Sequence, residues 1–530
     1  MIGKCLVWFL CLVVFFGCGV ALAQKDGGSL RYPVNAEPRP LDPQHWYSEK
    51  VSNIVCQHIY ENLIGIDKDF KIVPELATAW KMSPDQKSCT FTLRKGVKFH
   101  DGTPFDAKAV EANFNRFLND KPNAWTLVQN WFKSTEIVDD YTIRINLSKV
   151  YTPFLTEMAQ IYTRIMSPQV IKQYGTELGQ HASGTGPWRL SEWVPGDKLI
   201  VKKNPDYWRG KPRIDEIVFK FTPDITARMM GFESLSFDVL DQPQYIDIER
   251  LEKTKKYEVH SQASSELFHL AFNCVGEPVN QKEVRQAIAY AIDKESIVKS
   301  LLGGNVIIAH SFGPVYLKET LVNKDAYRYN PTKAKEILAK AGWKPGADGI
   351  LMKEGKRLQF KAFTPNGRYP MDKQIAEAAQ ANLKQVGMDV VLDVVESATF
   401  IRWLRASEAE MKGSGIGLIC RTRPLGASLD FAFVQHYHSQ FYPPTGANSA
   451  FYSNKRVDSL LTSAVSMTDD KKRAEAYRQV QEILFDELPV IPIYYYRNFM
   501  FNQPYVKKID LFPPAYVPAP FVSHETWIDK

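Results

Sequence analysis

Cys89-Thr90-Phe91-Thr92-Leu93-Arg94-Lys95-Gly96-Val97-Lys98-Phe99-His100-Asp101-Gly102 alternates apolar and polar residues with a period of two, the period of a half-buried strand. Lys95-Gly96 supplies a turn, and Val97 and Phe99 resume the alternation before Asp101-Gly102, so a hairpin-rich region is predicted. Outward from it the same period returns at Tyr141, Ile143, Ile145 and Leu147, and again at Ile217, Phe219 and Phe221. Between these strands Val110, Phe114 and Phe117 recur at helical spacing, with Asp106 as the predicted N-cap.

The second half reads more helically. Val284, Ala287, Ile288, Ala291 and Ile292 form one stripe, Asp293 can cap a following helix, and Gly303-Gly304 ends it. A further amphipathic helix is predicted from about Lys471 to Leu488, stopped by Pro489 ahead of the apolar run Val490 to Tyr496, a buried strand. The fold class is α/β with mixed sheets. No repeat and no Gly/Ser linker interrupts it, which fits lobes joined by crossing strands better than separate beads.

At 530 residues the chain is too long for a single core. Its 45% hydrophobic and 24% charged content is that of a soluble globular protein, and the net charge of +7 is dispersed, so no nucleic-acid partner is indicated. The N-terminus reads as an export signal: Lys4, an apolar run from Cys5 to Val20, and Ala21-Leu22-Ala23 as a small-x-small cleavage site, leaving residues 24–530 in the periplasm. The alternatives are an uncleaved anchor, which lacks a stop-transfer cluster, and lipid anchoring at Cys18, where Phe15 stands in place of the usual Leu. Of the seven cysteines, Cys56, Cys89, Cys274 and Cys420 lie outside that signal. They are too scattered for zinc, and either one or two disulfides or buried thiols are expected.

Chemical motifs are few. Gly184-Thr185-Gly186-Pro187 lacks the spacing of a phosphate loop, and neither a G-x-S-x-G elbow nor an H-E-x-x-H pair occurs. No catalytic residue and no cofactor are therefore assigned, and the protein is expected not to be an enzyme. His436 and His438 would lie on one side of a strand and could share a metal; as polar residues near the Ser439 to Gly446 loop they need no ligand at all.

Pro74-Glu75-Leu76-Ala77-Thr78-Ala79-Trp80, with Thr90 to Phe105, resembles the signature of bacterial solute-binding protein family 5. Gly184 to Trp188, Asn204-Pro205-Asp206-Tyr207-Trp208, Val284 to Asp293 and Lys335 to Trp343 follow in that family's order. Tyr32-Pro33-Val34-Asn35, Ala124-Trp125 and Arg421-Thr422 resemble its nickel-binding branch, whereas Arg423-Pro424-Leu425 stands where that branch has tryptophan, and Pro122 where it can have arginine.

The resemblance implies a periplasmic-binding-protein type II-like fold: two lobes on a hinge and an extra third domain. By that analogy residues 24–63, 181–266 and 499–530 form lobe I, 64–180 the inserted domain, and 267–498 lobe II. It implies capture of a nickel-organic chelate or a di- or oligopeptide by a monomer that serves an inner-membrane ABC permease. Expected ligand contacts are Trp46, Trp125, Arg164, Arg421, Arg423 and Asp430, with His436 and His438 as metal candidates. Each has a plainer reading: core for the tryptophans, a solvated side chain for Arg164, a helix cap for Asp430. A secreted hydrolase, or a periplasmic chaperone or sensor module, is the rival class.

Overall fold

The computed structural model describes residues 26–45, 49–67, 70–122, 124–129, 131–444, 446–511 and 520–529. The export signal and Trp46 lie outside these residues, as does the side chain of Trp125, whose backbone opens the short helix Trp125–Val128.

Three sheets carry three cores. In the first, Ser29–Val34 pairs in parallel with Glu216–Phe221, and Lys198–Lys203 and Trp188–Val194 continue the sheet antiparallel. Leu30, Tyr32, Leu199, Ile217 and Phe219 alternate onto one face and bury against the helix Lys50–Ile59. Gly184 and Gly186 allow the chain to pass the end of that helix: a Cβ on Gly184 would lie 2.1 Å from the Ile59 carbonyl oxygen. Gly186 N–H donates to that same oxygen at 2.9 Å.

The second sheet is wholly antiparallel, in the order Ala77–Met82, Ser88–Leu93, Thr142–Leu147, Phe132–Asp139. Cys89, Phe91 and Leu93 face inward as the alternation requires. The helix Ala107–Asn119 covers them with Val110, Phe114 and Phe117, and Asp106 caps it by accepting the Ala109 N–H at 2.9 Å. Val97 and Phe99 do not resume a strand. Phe99 N–H turns back to the Thr103 carbonyl and His100 N–H reaches the distant Gly184 carbonyl, so one local turn bond and one long-range bond take donors a strand would have used.

The third sheet has seven strands and is mixed. Glu258–Phe272 is antiparallel to both Val490–Asn502 and Ile416–Pro424, while Gln359–Pro365 lies parallel to Ile416–Pro424 and to Asp389–Val395. Helices Lys282–Ala291, Lys294–Leu302, Asp372–Lys384 and Asp470–Glu487 pack on it around the largest core. Asp293 accepts the Ser296 N–H at 3.0 Å and Gly303 ends its helix in the left-handed region, as predicted.

Two strands are far longer than one core needs. Glu258–Phe272 and Val490–Asn502 begin or end among Phe232, Leu240 and Phe501, beside the first core, and run on into the third. Their pairing register shifts between Ala263 and Leu267, midway along the span. The second unit also meets the third: Phe70 stacks on Tyr316 with centroids 4.0 Å apart, and Thr152 N–H donates to the distant Val465 carbonyl at 2.9 Å.

The four cysteines among the described residues are free thiols. Cys56, Cys89 and Cys420 belong to three different cores, which keeps these three apart from one another. No helix among the described residues is long and apolar enough to cross a membrane.

Candidate functional site

A cavity of about 700 Å³ opens beside the two crossing strands, within the roughly 300–1,000 Å³ usual for small-ligand pockets. Asn35, Arg228 and Tyr245 wall it from the side of the first sheet, Arg368 and Tyr369 from the third, and Glu266 and Asn498 come from the crossing strands themselves. The Gly367–Tyr369 turn is held by a single buried carboxylate. Asp372 accepts the N–H groups of Gly367, Arg368 and Tyr369, each at 2.9 Å. Arg368 lies over the Tyr369 ring at 5.5 Å and donates to Ser397 Oγ at 2.9 Å.

Neither Arg421 nor Arg423 lines this cavity; the strand Ile416–Pro424 projects both to one face, because residues two apart on a strand share a side. The register sets His269 opposite Arg421 and Leu267 opposite Arg423. Arg421 donates to the Ser449 hydroxyl; Arg423 donates to the Phe312 carbonyl at 3.1 Å and to the Tyr437 hydroxyl, with its guanidinium 4.7 Å from the Tyr437 ring centre. All these partners are neutral. The Nε atoms of both arginines are buried without a hydrogen-bond partner.

Burial lowers the Arg421 pKa, with Arg423 and Arg368 adding to that effect and Tyr369 opposing it. His269 and His436 stand well below the usual histidine range, through burial first and then the two arginines, so both are neutral at pH 7. The cluster is thus a largely buried cationic patch, and among the described residues no carboxylate pairs with either arginine. An uncompensated buried cation is costly, and a ligand anion would relieve that cost.

The other predicted residues fall elsewhere. Arg164 is 6% exposed, so it is not a solvated side chain. It lines a separate cavity of about 180 Å³ with Glu61 and Glu75, where its Nη1 has no partner, and neither Arg421 nor Arg423 lines that cavity. Burial lowers its pKa, against the pull of Cys56 and Glu75. Asp430 is not the helix cap. Ser428 caps Leu429–Tyr437 by accepting the Phe431 N–H at 3.1 Å, and Asp430, in the first turn, accepts from the Tyr477 hydroxyl.

His436 and His438 do not share a strand face. His436 sits in the helix with Nε2 at 3.1 Å from the Pro424 carbonyl, and His438 follows it with Nε2 at 3.0 Å from Thr462 Oγ1. The helix ends at Tyr437 and His438 is its extended C-cap, so the two rings take separate partners, and no group of three or more potential metal ligands occurs among the described residues. Sequence reasoning missed Arg368, Tyr369, Glu266 and His269. The Asn366-Gly367-Arg368-Tyr369-Pro370 run announces a turn, but nothing local says that it faces a cavity.

Three sheet units, two of them joined by crossing strands with a cavity beside these, make a multidomain mixed α/β fold, and residues 71–421 match the family of bacterial extracellular solute-binding proteins, family 5, middle part. The chain belongs to that family and has its type II periplasmic-binding-protein fold. It is 30% identical over 484 residues to the glutathione-binding protein GsiB of Salmonella choleraesuis strain SC-B67, covering 89% of each chain. Among solved structures it resembles NikA from Brucella suis in complex with Fe(III)-EDTA, at 28% identity and TM-score 0.83 over 93% of this chain and 100% of that one. The dipeptide-binding protein of Pseudoalteromonas sp. SM9913 in complex with Met-Leu gives 25% and 0.78 over 94% and 100%. Family 5 members are solute-binding proteins that deliver small ligands to ABC permeases.

Proposed function

We propose that this protein is the periplasmic receptor of an ABC importer and that its ligand is a small carboxylate-bearing compound, either a short peptide or a metal chelate that brings its own donor atoms. The observation that carries this reading is the pair formed by half-buried Arg421 and buried Arg423, whose partners are all neutral and whose Nε atoms have no partner. Arginine forks suit carboxylates and cannot ligate a cation, so bare nickel is disfavoured.

Residues 24–63, 181–266 and 499–530 would act as one lobe, 267–498 as the other, and 64–180 as a domain carried by the first. The two long crossing strands support this, since a bend at their register shift would move one core against the other. A ligand touching both sides would favour the closed arrangement by its differential affinity, and the permease would receive the closed form. The receptor would be exported, cleaved after Ala23, and monomeric.

Calorimetric titration with glutathione, a dipeptide, a nickel-histidine chelate, free Ni²⁺ and a neutral disaccharide tests the chemistry. Binding confined to carboxylate-bearing compounds supports it. Saturable binding of the disaccharide or of free Ni²⁺, with none of the others bound, would refute it.

A further inference from the structure

Two carboxylates from different units line one cavity between the second unit and the third, and the charge of one acts on the other. Glu157 ends the helix Phe154–Glu157 of the inserted unit, and Asp430 lies in the helix Leu429–Tyr437 of the opposing one. Both are buried and both line one cavity of about 490 Å³. Each is already bound by a tyrosine from its own unit: the Tyr162 hydroxyl donates to Glu157 and the Tyr477 hydroxyl to Asp430. A hydroxyl leaves the negative charge in place.

The surrounding groups do not neutralise the pair. Arg473 is the cation that acts on Asp430, but it is engaged by Asp470 at 2.6 Å and by the Met467 carbonyl at 2.9 Å. Lys149 lines the cavity mouth and forms no ion pair with either carboxylate among the described residues. His438 is turned to Thr462 and Asp458. Tyr151 feels both carboxylates, and burial keeps its own pKa well above the usual tyrosine value, so it stays neutral.

We propose that closure of the inserted domain onto the opposing lobe takes up a proton at the Glu157–Asp430 pair, so that capture is favoured by acid and weakened by alkali. The inference rests on the hinge-closing reading above. Two buried like charges cannot both persist at short range without a cation between them, so the closed form keeps one carboxyl protonated, while opening returns both to water.

The titration order follows. Burial pushes Asp430 up to about 6, and it ionises first; Glu157, raised by burial and then by the Asp430 charge, ionises at about 8. In water a glutamate ionises near 4.5. The folded-closed value is thus above the open value. With the ordinary aspartate value at 3.8, the advantage of closure is complete below about 3.8, declines as pH rises and is gone above about 8. Within that window the closed-to-open ratio falls about tenfold per pH unit for each proton released.

Small-angle scattering of the mature protein without any added ligand, from pH 5 to 9, reads this directly. The radius of gyration is expected to rise with pH in the parent. In Glu157→Gln, whose amide oxygen still accepts from Tyr162, it is expected to be flat above pH 6, and Asp430→Asn should narrow the window from its alkaline end. A Thr152→Cys/Val465→Cys chain, oxidised to a crosslink, supplies the closed reference, because these residues already share a backbone hydrogen bond.

If crosslinked and reduced forms have the same radius at pH 9, the hinge reading itself falls, and the latch with it. If they differ while the parent radius ignores pH, or while Glu157→Gln titrates like the parent, hinge closure stands and the proton latch is overturned.

Discussion

Replacing Arg421 by methionine should separate stability from binding. In the ligand-free protein the guanidinium is half-buried against the neutral Ser449 hydroxyl and near two further arginines, and among the described residues no acid offsets it. Methionine fills much of the same volume and removes that charge, so the unfolding free energy should stay level or rise by up to about 2 kcal/mol. Ligand affinity should move the other way. Losing a buried charge-assisted contact costs about 2 to 5 kcal/mol of binding, a loss of roughly 30- to 5,000-fold in Kd. Urea denaturation of the ligand-free protein gives the first number and calorimetry with the co-purified ligand the second. If Arg421→Met binds within about threefold of the parent, or loses about 3 kcal/mol or more of stability on its own, the arginine is architectural and the assigned role is wrong.

Arg116→Ala should behave oppositely to Arg421→Met, because Arg116 pairs with Asp42 at 2.6 Å with both side chains almost fully buried. Stranding that carboxylate should destabilise the fold by about 3 to 5 kcal/mol, seen as a lower urea midpoint, and restoring neutrality with Asp42→Asn should recover part of it. Burial pushes the Cys56, Cys89 and Cys420 thiols up to about 12, so iodoacetamide at pH 8 should leave these three untouched in the native protein. After unfolding, intact-mass measurement should count four adducts if the signal is removed and seven if it is not.

The parts of the fold that could be read in advance are those whose signals are local. Cys89, Phe91 and Leu93 turn inward because a two-residue period and a pleated sheet are the same geometry, and Asp106 and Asp293 cap helices through side chains that reach only three residues. Val97 and Phe99 misled because the donors needed for a strand were claimed by Thr103 and by distant Gly184. His436 and His438 misled for a related reason: the helix beginning at Leu429 runs through His436, and its period replaces that of a strand. The candidate site is less legible still. His269 meets Arg421 only through the pairing of two strands, and Arg368 reaches the cavity only because Asp372 folds the preceding turn. Glu157 and Asp430 line one cavity from distant parts of the chain, a relation no spacing in the sequence encodes.

The most direct test of the account is native mass spectrometry of the protein purified from its own cells, followed by release and identification of whatever is bound. A one-to-one complex is predicted, with a released compound that carries at least one carboxylate, is either a short peptide or a metal chelate, and is bound less tightly when Arg421 or Arg423 is replaced. A neutral sugar, or a bare metal ion retained equally by the arginine variants, would contradict it.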